Sequence, residues 1–314
     1  MPSLAEAFAT RPVVLDGGLS TELETRGSDV SSALWSAWLL RDDPAAIVAA
    51  HAAFAAAGAQ VATTASYQAT VEGFAAAGVD AASARRLISS SVGLAREGQA
   101  AGGGTGWVAG SVGPYGAMLA DGSEYTGAYV AEVGIARLRE FHRPRMELLA
   151  EAGADVLACE TVPAAAEAEA LVAEADALGI PVWLSLTTVL DGEGAARTRR
   201  GELAADVYAM AAGVDAVIAV GVNCSAPAVV GASVAAAATS GKPVVVYPNS
   251  GEGWDAADRS WTGPPGISAD DVRDWVAAGA RLVGGCCRVR PEQIRAIAQR
   301  IGLPPVTAIR APEM

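Results

Sequence analysis

At 314 residues, with 52% hydrophobic content and a net charge of −13, the chain can bury a sizeable core, and it has no basic surface for nucleic acid or an anionic membrane. No apolar run reaches the roughly 18 residues of a membrane helix. The opening Met1-Pro-Ser-Leu-Ala-Glu6 has no secretory character, and four cysteines are too few for a disulfide scaffold. The expectation is a cytoplasmic protein with reduced thiols, a monomer or small homo-oligomer, acting on small molecules rather than on nucleic acid or membrane.

Eight short apolar or β-branched runs occur in chain order, at 12–15, 60–64, 107–111, 155–159, 181–187, 216–222, 243–247 and 281–284. Each is followed by an alanine-rich stretch of helical period, at 43–57, 78–98, 127–151, 163–178, 201–212, 227–239, 268–279 and 291–301. Strand followed by helix, repeated eight times, predicts a single α/β domain over residues 1–314, a (β/α)8 TIM-type barrel. A doubly wound open sheet is the alternative, but the turn Asp16-Gly-Gly-Leu-Ser-Thr21 does not match its glycine fingerprint. Helix signals agree with the division: Asp43-Pro44 opens the first helix, and Ser268 precedes Asp270 and Asp271, acids that a helix dipole favours in the first turn.

In such a barrel the active site lies at the carboxyl ends of the strands. Those ends carry Asp16-Gly17-Gly18, Thr63 to Gln68, Ser111 to Gly116, Glu160-Thr161, Asn223-Cys224, Pro248 to Glu252 and Gly285-Cys286-Cys287. The two longest loops, 112–126 and 248–267, lie on the same face and are expected to close over a small ligand.

Cys286 and Cys287 are adjacent, so in a regular strand they would point to opposite faces. Gly284 and Gly285 just before them give the backbone freedom to depart from that pleat. With Cys224 ending another strand at the same rim, three soft ligands on two strand ends predict a zinc site whose fourth position stays open. Buried inert thiols are the bland alternative for the pair, and Cys159, inside its strand, is read that way.

Asp16 and Glu160 at one rim suit a positively charged group such as an α-ammonium, although either acid alone serves equally well to cap a helix or pair with an arginine. Tyr67, Trp35 and Trp254 are candidate aromatic faces for a cation; Trp38, Trp107, Trp183 and Trp275 are assigned to packing. The chain has two histidines and one lysine. His51 and His142 fall on helices, and Lys242 precedes the seventh strand at its amino end. No residue is therefore assigned as a general acid or base. Zinc, thiolate ligands and no acid-base histidine suit activation of a substrate thiol, since a free thiol of pKa about 8.5 is only slightly ionised at neutral pH. Attack on a sulfonium or ammonium methyl then needs no proton transfer. A zinc- or thiol-binding barrel without catalysis, and a dithiol redox protein, are the competing readings.

The motifs Asp16-Gly-Gly-Leu-Ser-Thr-Glu22, Leu34-Trp35-Ser36, Thr64-Ala-Ser-Tyr-Gln-Ala69, Ser111-Val-Gly-Pro-Tyr-Gly-Ala117, Gly122-Ser-Glu-Tyr125, Phe141-His-Arg-Pro-Arg145, Glu160-Thr-Val-Pro163, Gly221-Val-Asn-Cys224, Tyr247-Pro-Asn-Ser-Gly-Glu252 and Gly284-Gly-Cys-Cys287 together resemble the homocysteine S-methyltransferases. The resemblance is strongest to the single-domain type that uses S-methylmethionine or S-adenosylmethionine. It implies zinc held by Cys224, Cys286 and Cys287, and methyl transfer from a sulfonium donor to homocysteine, giving methionine. Asp16 and Glu160 would hold the homocysteine amino group, Tyr67 would line the donor pocket, and Asn223 would support the metal site. Trp35, Gly17, Ser66, Asn249 and Trp254 complete the candidate substrate set. Betaine-using and cobalamin-dependent relatives carry further segments for which the chain has no room, and a selenol is an alternative acceptor. The arginine-rich stretch 191–203 departs from the family pattern.

Overall fold

The computed structural model describes residues 1–29, 34, 36–255, 260–263 and 266–302. Eight strands form one parallel sheet: β1 (Val13–Val14), β2 (Val61–Thr63), β3 (Trp107–Val112), β4 (Val156–Val162), β5 (Val182–Leu186), β6 (Val217–Asn223), β7 (Val244–Tyr247) and β8 (Ala280–Val283). Neighbours follow the order β1-β8-β7-β6-β5-β4-β3-β2. A parallel bridge between Leu15 and Val61 closes the ring, together with a 2.8 Å hydrogen bond from the Gln60 amide to the Val14 carbonyl. The helices returning between strands are α1 (Pro44–Ala56), α2 (Ala81–Ala101), α3 (Val130–Glu151), α4 (Ala165–Leu178), α5 (Ala204–Ala209), α6 (Pro227–Ala238), α7 (Ala269–Ala277) and α8 (Pro291–Arg300). This is the TIM barrel that the strand and helix periodicity predicts. Among the described residues no helix is long and apolar enough to cross a membrane.

The core divides in two because successive strand residues face opposite sides of the sheet. Val14, Ala62, Val108, Leu157, Cys159, Leu184, Val220, Val246 and Val283 face outward and pack under the helices. Val13, Leu15, Val61, Trp107, Ala109, Val156, Ala158, Trp183, Ala219, Val245 and Leu282 fill the barrel interior. One inward step further along the strands come Thr63, Ser111, Glu160, Ser185 and Tyr247, and beyond Gly221 comes Asn223, so the interior changes from apolar to polar near the carboxyl ends. The opposite end is stoppered by a helix absent from the sequence reading, Leu4–Thr10, whose Leu4, Ala7 and Phe8 join the interior cluster. Its sequence signal was the Ser3 to Glu6 capping box.

Several elements differ from the periodicity reading in extent. Short helices Leu19–Thr25, Ser36–Asp42 and Val71–Ala76 add to the loops after β1 and β2. The 127–151 stretch starts at Val130 and is broken at Gly134, where φ is 70°. The stretch 201–212 shrinks to α5: a hairpin pairs Thr188–Leu190 with Ala196–Thr198, and Leu203 bridges back to its Arg197, so the helix starts at Ala204. The 112–126 loop folds into a helix, Tyr115–Leu119, and a 3-10 turn, Ser123–Tyr125.

Candidate active site at the carboxyl ends of the strands

Three sulfur atoms converge at the barrel mouth. Cys224 Sγ stands 2.8 Å from Cys286 Sγ and 3.6 Å from Cys287 Sγ, and the last two are 4.0 Å apart. None of these is a bond, since a disulfide is about 2.05 Å. Among the described residues this is a group of three ligand atoms able to hold one metal ion. Around a tetrahedral zinc with Zn–S near 2.3 Å, sulfurs lie about 3.8 Å apart. Two of the three spacings already fit, and the third needs an opening of about 1 Å. Hydrogen bonds from Cys224 and Cys286 hold the Cys287 thiol well below the usual range.

The backbone explains how adjacent cysteines come to share one target. Strand β8 ends at Val283, and Cys286 and Cys287 lie in a turn beyond it. Conformational freedom at the two glycines is not the device, contrary to expectation: neither has positive φ, whereas Cys224 (φ 47°) and Arg288 (φ 66°) do. The glycines supply space instead. A Cβ on Gly284 would lie 2.6 Å from Leu15 Cβ and 2.7 Å from the Asp16 carbonyl, and one on Gly285 would overlap Val289. Around the turn, the Cys286 amide donates to the Pro248 carbonyl at 2.7 Å, and the Cys287 amide to Asn249 Oδ1 at 3.2 Å.

The same cavity is lined by Asp16, Gly17, Tyr67, Glu160 and the three cysteines. Both carboxylates are buried. Asp16 accepts from the Thr63 amide at 2.7 Å and the Thr63 hydroxyl at 2.8 Å; burial nevertheless pushes it up to about 7. Glu160 accepts a short hydrogen bond from Ser111 Oγ, and the Tyr247 hydroxyl is placed to donate to it. Burial raises Glu160 to about 7 as well. Among the described residues no lysine, arginine or histidine lines the cavity, so two desolvated acids leave negative charge to be met by a ligand. The Tyr67 hydroxyl is buried close to Thr161 and makes no hydrogen bond of ordinary geometry.

Other candidates act from behind this lining. Asn223 does not reach the cavity. It accepts from the Thr161 amide (2.7 Å) and Ser185 Oγ (2.8 Å) and donates to Thr161 Oγ1 (2.7 Å), holding Thr161 at φ 60° beside Glu160. Ser66 is likewise enclosed, donating to the Ser111 carbonyl at 2.8 Å. Asn249 is a backbone partner of Cys287, as described. Trp35 and the side chain of Trp254 lie outside the described residues. Cys159 is fully buried outside the barrel, with its thiol pushed up to about 12. Buried His51 is lowered to about 4 by desolvation, and Lys242 donates to the Val214 carbonyl at 2.9 Å; neither lines the cavity.

Residues without an assigned role in the sequence reading prove central. Thr63, Ser111 and Tyr247 hold the two acids, and strand parity was the signal that could have found them. Tyr125, delivered by the 3-10 turn, lines the cavity with its hydroxyl 3.8 Å from Cys224 Sγ, and no regular period predicts that turn. Arg145, buried in α3, donates to the carbonyls of Tyr67 (2.9 Å) and Gly113 (2.5 Å), clamping the loops after β2 and β3 together. Behind it His142 contacts Glu167 at 2.9 Å, and Glu167 accepts from the Tyr115 amide and from Tyr129.

Fold and site together define a (β/α)8 barrel with a three-cysteine centre and an acidic, amino-acid-sized cavity at its mouth. The sequence profile described as "Homocysteine S-methyltransferase" matches residues 13–301. A homocysteine S-methyltransferase of Escherichia coli is 45% identical over 299 residues, covering 92% of this chain and 94% of the relative. A selenocysteine Se-methyltransferase of Brassica oleracea var. italica is 38% identical, covering 92% and 88%. The metallated crystal form of the homocysteine methyltransferase MmuM from Escherichia coli superposes with a TM-score of 0.80 at 43% identity, over 92% of this chain and 96% of that one. The chain belongs to the homocysteine S-methyltransferase family, and it is a methyltransferase acting on homocysteine.

Proposed function

We propose that the protein uses zinc held by Cys224, Cys286 and Cys287 to methylate L-homocysteine from a sulfonium donor, S-methylmethionine or S-adenosylmethionine, giving methionine. The observation that carries this reading is the meeting of three thiols in the cavity that also holds two buried carboxylates. Among the described residues no fourth protein ligand joins these three soft donors, a set that suits zinc with one position open. Bound there, zinc would keep the sulfur of homocysteine as thiolate at neutral pH, which is worth on the order of 2 kcal/mol of barrier.

The chain's own residues bind and orient. Asp16 and Glu160 would take the α-ammonium, and Thr63, Ser111 and Tyr247 fix those carboxylates against reorientation. Tyr67 and Tyr125 present aromatic rings to a cationic donor. In the transfer a bond forms between the homocysteine sulfur and the methyl carbon while the sulfonium C–S bond breaks. Its electron pair stays on the leaving sulfur as a neutral thioether. No proton moves in that step, which agrees with the absence of any histidine or lysine from the lining. Alignment of thiolate and methyl is then the main contribution to rate. We further propose one barrel domain working on small molecules in the cytoplasm.

Initial rates with S-methylmethionine, S-adenosylmethionine and betaine, homocysteine as acceptor and zinc measured alongside, test this. The expected result is turnover with at least one sulfonium donor, none with betaine, and about one zinc per chain. Turnover with betaine alone, or undiminished turnover in zinc-free protein, would overturn it. The Brassica relative favours a second acceptor class, selenols, which the same assay reads with selenocysteine.

A further inference from the structure

Both amino-acid substrates carry a carboxylate, yet among the described residues the cavity lining holds only acids, thiols and neutral groups. Homocysteine stretched between the cysteines and the two acids has its ammonium on the side where Asp16 binds Thr63 of β2 and Glu160 binds Ser111 of β3. The arginine-rich hairpin follows β5 and is tied to the end of β6, the Thr188 amide donating to Ser225 Oγ at 2.8 Å.

At the end of that hairpin Arg199 is half-buried, behind the cavity lining rather than in it. Its Nε and Nη2 donate to Thr187 Oγ1 at 3.2 and 3.1 Å, and Thr187 Oγ1 itself donates to the Cys224 carbonyl at 3.3 Å. The guanidinium is therefore one hydroxyl away from the metal-site backbone, within electrostatic reach of Cys224 and Tyr125. The neighbouring Arg200 packs against Gly127, just beyond Tyr125, which seats the hairpin on the loop after β3. Among the described residues Arg199 has no carboxylate partner, whereas Arg197 pairs with Asp191 at 2.5 Å and Arg288 faces Glu252 at 3.6 Å. Arg145 is already committed to two carbonyls. Among the described residues the hydrogen bonds of this partly desolvated guanidinium go to one hydroxyl, which leaves the edge formed by Nη1 and the second Nη2 hydrogen for a planar, bidentate ligand.

We infer that Arg199 recognises the α-carboxylate of the methyl donor and so sets which donors are accepted. This rests on the proposed sulfonium-donor reading and adds a residue to it. Homocysteine is placed by its sulfur at the cysteines and its ammonium at Asp16 and Glu160, on the side of the cavity away from Arg199, so the contact falls to the donor. The donor has no other cation within the described site to meet its carboxylate, and docking that group beside Cys224 and Tyr125 directs the remainder of the molecule into the cavity.

The test compares S-methylmethionine with its α-carboxamide analogue in the wild type, Arg199→Met and Arg199→Lys, with thermal melting and zinc content as controls for folding. With S-methylmethionine, Arg199→Met should raise the donor KM about ten- to a hundredfold, the range of a hydrogen bond between charged groups. Arg199→Lys should recover part of the loss, and the KM for homocysteine should stay within about twofold. With the amide, wild type and Arg199→Met should have the same donor KM. An equal loss on acid and amide, a rise confined to homocysteine, or no change at all would overturn the assignment. If Arg199→Met does not fold, the acid-to-amide KM ratio in Arg199→Lys against wild type decides: a ratio raised toward one supports the assignment and an unchanged ratio overturns it. Failure of the wild type to use any sulfonium donor would instead sink the proposed function, so the two failures are distinct.

Discussion

Asp16 and Glu160 lower stability for the sake of binding. A carboxyl whose folded pKa lies above its unfolded value holds its proton more tightly in the folded state, so stability falls as pH rises between the two values. For Asp16 that window runs from 3.8 to about 7, equivalent to about 4 kcal/mol at most once the group is ionised. Asp16→Asn should therefore be more stable than the wild type at pH 8, by on the order of 2 kcal/mol, with the difference shrinking toward pH 5. Urea unfolding at the two pH values measures this; a variant less stable than wild type at pH 8 would contradict it. The same ionisations govern binding in the opposite sense. Because both acids sit near 7, lowering the pH from 8 to 6 should raise the KM for homocysteine about tenfold, as protonation removes the charge facing the ammonium. The cysteines and the two acids were legible in the sequence because each ends a strand-like run. The hydroxyls that orient the acids were not, since Thr63, Ser111 and Tyr247 are ordinary strand residues until the inward register is known.

Elements place these side chains through contacts that no local pattern announces. The Arg145 side chain crosses from α3 to two loop carbonyls, and burial lowers it to about 10 without neutralising it. Arg145→Met should lose about 3–5 kcal/mol by leaving buried carbonyls unpaired, and should raise substrate KM by loosening Tyr67. Chemical denaturation and steady-state kinetics on the same preparation test both. The motif Phe141-His-Arg-Pro-Arg145 was visible in the sequence, but its task depends on which loops lie above the helix. Length differences had a similar origin: the chain after the hairpin turns back on it, Leu203 bridging Arg197, and this contact holds 201–203 out of α5.

Across the whole molecule stability and chemistry occupy opposite ends of one barrel, as the fold generally arranges them. The apolar interior and the Leu4–Thr10 stopper lie at the amino end, and the polar layer and the cysteines at the other. Phe8→Ala should cost about 3–4 kcal/mol while leaving kcat unchanged at temperatures where the protein is folded. The eightfold alternation made this architecture readable from sequence; the stopper was not, because seven residues carry too little periodicity to stand out. What joins the two ends functionally is the claim that three thiols hold one ion with room for a substrate sulfur. X-ray absorption at the zinc edge, with and without homocysteine, tests it most directly. The account predicts a shell of three sulfurs near 2.3 Å that becomes four when homocysteine is added. A sulfur count that does not rise, or a shell dominated by nitrogen and oxygen, would contradict it.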